Sequence, residues 1–182
     1  MAAWEINKNL LGRNGFSQTE YAVFCLSLNI VYQEYVLLFG QDVLLRYPLF
    51  VDNATCGSGH TPITIPVLKQ IIVIKLNVLG GRDFGVNESC NPRTVYQFAH
   101  ELGHFVFYCW QGIEKPLADD EEEMLCTAMS FCVLDKYCHD DVSRFLLDCK
   151  GTRYKSGAEF VERFGFDLNT AADLMKKRAN VV

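Results

Sequence analysis

The chain has 182 residues, 49% of them apolar, and a formal net charge of −5. That length and apolar content suit a single folded domain, residues 1–182, and exclude a disordered chain. The acidic balance, with no basic run to track phosphates, argues against direct nucleic-acid binding.

The first eight residues carry charge at Glu5 and lead into no apolar core, so they do not read as a signal peptide. Ser17 and Glu20 have capping-box spacing and predict a helix to about Phe39, stopped by Gly40. Asn29, Gln33 and Glu34 interrupt its apolar stretch, which favours a buried helix over a membrane span. Residues 42–50 read as a short helix or strand. Residues 53–66, punctuated by Gly57, Gly59, Pro62 and Pro66, read as a loop with a short extended piece. His60 falls there and reads as solvated. Residues 70–77, Gln-Ile-Ile-Val-Ile-Lys-Leu-Asn, are the clearest strand. That strand suits either a sheet interior or an edge to which an extended peptide adds. Residues 80–90 then read as a connection.

Asn91-Pro92 predicts a helix start, and Gln111-Gly112 its end. Between residues 93 and 110 there is no proline, and Gly103 is the only glycine. Val95, Phe98, Leu102, Phe105, Val106 and Cys109 recur at three- and four-residue steps, with Arg93, Gln97, His100, His104 and Gln111 on the other side. On that polar stripe lies His100-Glu101-Leu102-Gly103-His104, an H-E-x-x-H pattern. Two histidines one helical turn apart present both imidazoles to one metal ion, and the glutamate beside the first can handle a proton. Gly103 costs about 1 kcal/mol against alanine in a helix interior, which points to close approach of a second backbone.

A catalytic zinc takes three protein ligands and keeps one position for water. The acidic run 119–123 opens a second helix, whose apolar side is Met124, Leu125, Ala128, Phe131 and Cys132. Glu123, directly before the apolar part, is the expected third ligand, with Glu122 the alternative. Residues 141–150, 158–164 and 169–180 read as three further short helices, separated by glycines. Eight cysteines, no C-x-x-C and no secretory signal favour a reducing, cytoplasmic location. Cys138-His139 is a possible metal pair that nothing nearby in sequence completes.

Residues 97–104, Gln-Phe-Ala-His-Glu-Leu-Gly-His, with the acidic run and apolar helix behind them, resemble the ImmA/IrrE family of zinc metallopeptidases. The resemblance covers residues 70–136. It implies an α+β, zincin-like fold: helices on a small mixed β-sheet, with a motif helix and a following glutamate helix. It also implies Zn2+ held by His100, His104 and a glutamate of the next helix, and a protein or peptide substrate. Family members commonly follow that glutamate with Ala-Asn-x-Phe-Ala; Glu123 is followed by Met-Leu-Cys-Thr-Ala, with Ala128 at the matching place.

The expected reaction is hydrolysis of a peptide bond, with Glu101 as general base. Candidate oxyanion donors are His60, Tyr137, His139 and Tyr154, and Thr127 is a candidate partner for the far nitrogen of a ligand histidine. The same residues also allow a non-catalytic protein-binding module with a structural metal.

Overall fold

The computed structural model describes residues 4–6, 16–53, 62–78 and 90–181. His60, Cys56 and the expected connection at 80–89 lie outside them. The elements in chain order are β1 (Trp4–Ile6), α1 (Gln18–Phe39), α2 (Gln41–Leu44), β2 (Leu49–Asn53), β3 (Ile63–Val67), β4 (Ile71–Leu76), α3 (Pro92–Gln111), α4 (Asp120–Cys138), α5 (Val142–Cys149), α6 (Lys155–Phe164) and α7 (Leu168–Arg178), with a 3-10 turn at His139–Asp141. The architecture is α+β, helices packed on a small mixed sheet.

The helix ends follow the local chemistry. Ser17 Oγ accepts from Glu20 N–H and Glu20 reaches back to Ser17 N–H, so both halves of the capping box form. Asn91 caps α3 through Thr94 N–H, and Pro92 takes the first helical position, where no N–H is needed. Gly40 and Gly112 end α1 and α3 at φ of 88° and 96°, a region costly to any residue with a Cβ.

The sheet order is β1-β2-β4-β3. Strands β1, β2 and β4 run parallel, and β3 returns antiparallel to β4 with Ile65 opposite Val73. The strand expected at residues 70–77 forms as β4, and of its two readings the sheet interior is the one that holds. Its Ile72, Ile74 and Leu76 are fully buried under the helices. One edge is β3, longer than the short extended piece expected in a segment read mainly as loop. Pro66 misled that reading: a proline breaks a central strand, yet an edge strand tolerates it because one row of its groups needs no ladder partner. The short strand β1 was not expected from the sequence. Residues 42–50 divide into the end of α2 and the start of β2.

Helix α1 has the length and mean hydropathy of a membrane span, and half of that stretch is buried inside the protein. Its Tyr35 hydroxyl donates to the carbonyl of Ala99 at 2.5 Å, fixing it against α3 one residue before His100. Buried Glu34 accepts from Lys136 and from Tyr137 of α4. Helix α3 is therefore enclosed by α1, the sheet and α4, and Val95, Phe98, Leu102, Phe105 and Val106 are all fully buried.

Candidate metal centre

Helices α3 and α4 run antiparallel, and the site forms beside a close approach at Gly103. A Cβ on Gly103 would stand 2.8 Å from Cys126 Sγ and 3.4 Å from Cys126 Cα. The glycine that weakens α3 as an isolated helix thus lets α4 approach. The approach brings the first turn of α4 over the histidine stripe. His100 Nε2 and His104 Nε2 lie 3.2 Å apart. Glu123 presents Oε2 at 3.3 Å from the first and Oε1 at 3.7 Å from the second. One ligand atom from each of the three residues falls within 4.8 Å of the others.

These donors suit a divalent ion. Glu123 Oε2 is buried, and beyond the two imidazoles no donor is aimed at it, so a cation would give it a direct partner. The far ring nitrogens are engaged in the way that leaves both Nε2 lone pairs facing inward. His104 Nδ1 meets Glu122 Oε1 at 2.8 Å, and His100 Nδ1 meets Thr127 Oγ1 at 3.3 Å. The group can hold a metal ion, and two imidazoles with one carboxylate match the donor set of catalytic zinc.

Glu122 and Glu123 are neighbours with different surroundings. Lys115, from the turn after α3, places Nζ 2.9 and 2.8 Å from the two Glu122 oxygens and over the Tyr108 ring. Its side chain is only 2% exposed, so a buried cation faces a buried carboxylate. Glu122 is thus occupied by Lys115 and His104, while Glu123 faces both Nε2 atoms. Burial opposes ionisation of Glu123, but the two imidazoles outweigh it and hold its carboxyl well below the usual range. Burial alone would favour neutral His104; Cys126 and the two carboxylates reverse that and raise its pKa.

Glu101 is buried on the other flank of the pair. The Thr64 hydroxyl of β3 lies 2.7 Å from its Oε2 and 2.9 Å from its backbone carbonyl, tying the carboxylate to the sheet edge. Two cavities open on either side. One, of about 330 Å³, reaches His104, Glu101 and Glu123 past Ile63, Tyr108 and Leu117. The other, of about 220 Å³, reaches His100 and Glu101 past Tyr96, Phe145 and Tyr154. Pro62 and Glu101 border both.

The remaining sequence candidates separate clearly. Tyr154 stands edge-on to the His100 ring, centroids 5.1 Å apart, beside Arg153. Tyr137 is spent on Glu34. His139 is 79% exposed and bonded to Asp135, so it joins neither the centre nor a metal pair with Cys138. Three neighbours escaped the sequence reading: Thr64, Lys115 and Arg153. Thr64 lay in the segment read as a loop with a short extended piece, which gave no reason to place it beside Glu101. Lys115 carried one usable signal, a single cation between the motif helix and the acidic run. Comparison with protein-family models, curated proteins and solved structures yields no match to this chain.

Proposed function

We propose that this chain is a zinc-dependent endopeptidase of the ImmA/IrrE-like kind, acting on a protein or peptide in the cytoplasm. The observation that carries the reading is the convergence of His100 Nε2, His104 Nε2 and Glu123, with Glu101 beside them, between two open cavities. Bound zinc would supply Lewis acidity, acidifying water and polarising the scissile carbonyl.

The chain's own groups do the rest. Glu101 accepts the water proton at its carboxylate and returns it to the leaving nitrogen. The Thr64 hydroxyl limits the rotamers of Glu101, so that its carboxylate meets water in one orientation. Glu122 and Thr127 hold the histidine rings through their Nδ1 atoms. Tyr154 is the one described oxyanion candidate that stands beside the centre. A substrate would lie across Glu101 with one cavity for each side of the cut bond, its backbone pairing with the edge of β3 that no described strand covers.

The test is Glu101→Gln. The variant keeps a stoichiometric zinc ion by elemental analysis and loses cleavage of a peptide library that the wild type cuts. A wild-type protein that binds zinc and cuts nothing would favour the non-catalytic module; cleavage by the glutamine variant would remove Glu101 from the mechanism.

A further inference from the structure

We infer that Cys90 and Cys138 are a dithiol that closes to a disulfide, joining the start of α3 to the end of α4. Their sulfur atoms lie 2.6 Å apart and both residues are buried. A disulfide bond measures about 2.05 Å, so closure asks for a sub-ångström approach. Among the described residues no third donor completes a metal set with them.

The position of the pair gives the bridge its consequence. Contacts run in antiparallel register down α3 and α4: His104 to Glu122, His100 to Thr127, Tyr96 to Phe131, then Cys90 to Cys138. Residues 112–119 close this helical hairpin at one end, and the two cysteines meet at the other. His100, Glu101, His104, Glu122 and Glu123 all fall between them. The bridge would make the whole segment that carries the candidate centre into one covalent ring.

Hydrogen peroxide is a sufficient oxidant. It converts one thiol to a sulfenic acid and releases water; the second thiol attacks that sulfur and releases a second water. The two thiols lose two hydrogens and peroxide is reduced to two waters. The hydrogen bond shared with Cys90, and then burial, hold Cys138 well above the usual thiol range.

The experiment uses the full chain and does not depend on the metal reading. Reduced protein is treated with mild hydrogen peroxide, free thiols are alkylated under denaturing conditions, and the digest is mapped by mass spectrometry. The expected product is a Cys90–Cys138 linked peptide that reductant removes. Thermal scans of oxidised against reduced protein should show a rise of roughly 5–15 °C in the midpoint. Cys138→Ser and Cys90→Ala should each abolish the rise. Recovery of both cysteines as alkylated thiols, or linkage of either to another cysteine, overturns the inference. The wild-type map decides this even where a variant does not fold.

Discussion

Glu122 Oε1 meets His104 Nδ1 at 2.8 Å while its neighbour Glu123 faces the Nε2 atoms of both histidines. Adjacent helical residues point about 100° apart, so only one of the two can enter the centre. Glu123→Ala should therefore abolish zinc binding. Glu122→Ala should leave it intact but weaker, by 10- to 100-fold, because the imidazole loses the partner that orients it. Titration against a competing chelator measures both. Equal losses, or a larger loss at Glu122, would exchange the two roles.

Lys115 is tied to the same pair. Its Nζ contacts both Glu122 oxygens in a buried setting, so removing the cation strands a carboxylate. Lys115→Met should cost about 3–5 kcal/mol in urea unfolding of the metal-free protein. Lys115→Met combined with Glu122→Gln should recover much of that, since no uncompensated charge is left buried. A double variant no more stable than Lys115→Met alone would show that Lys115 acts through packing on Tyr108.

Much of the centre was legible because helical chemistry is local. The spacing of His100 and His104, the caps at Asn91 and Gly112, and the penalty at Gly103 can all be read within one turn or two. The same holds for Ser17, Glu20 and the acidic start of α4. What escaped depends on pairing between distant segments. A short β-branched run bounded by Gly80 and Gly81 reveals that residues 70–77 are extended, but not whether a strand lies on each side of them. Pro66 looked like a breaker until β4 was seen to satisfy only one edge of β3. Lys115 showed in sequence only as the single cation before the acidic run; which carboxylate it faces is decided once α4 folds back on α3.

The helix contacts that build the centre rest on two glycines. An added Cβ at Gly103 meets Cys126, and one at Gly157 of α6 meets Thr127 Cβ, with Thr127 Cγ2 at 2.6 Å and the Met124 carbonyl oxygen at 2.8 Å. Gly103→Ala should lose stability, as overpacking of about 1–3 kcal/mol outweighs the gain of about 1 kcal/mol in helix propensity. Gly157→Ala should lose more, because a backbone carbonyl cannot rotate away. It should also weaken zinc binding, since Thr127 carries the contact to His100 Nδ1. Thermal melts with and without zinc separate the two effects. A stabilised Gly157→Ala would mean that α6 is free to move off α4.

Asp119 sets where α4 begins and so fixes the turn that carries Glu122 and Glu123. Its Oδ1 accepts from Glu122 N–H at 2.9 Å, and its other oxygen pairs with Arg178 of α7. The backbone N–H of Glu122 is the main reason its carboxyl is held below the ordinary aspartate range; burial opposes it, and Arg178 adds to the lowering. Because the folded pKa is the lower one, this stabilisation is whole above about pH 4 and fades as pH falls through the folded value. Asp119→Ala should cost about 1 kcal/mol at neutral pH, the usual worth of an N-cap. Asp119→Asn should retain most of the cap and lose only the pairing with Arg178. Unfolding free energies of wild type and Asp119→Ala, followed from pH 7 downward, should converge at the acid end. A difference that persists unchanged there would assign the loss to packing of α7 and not to the charged cap.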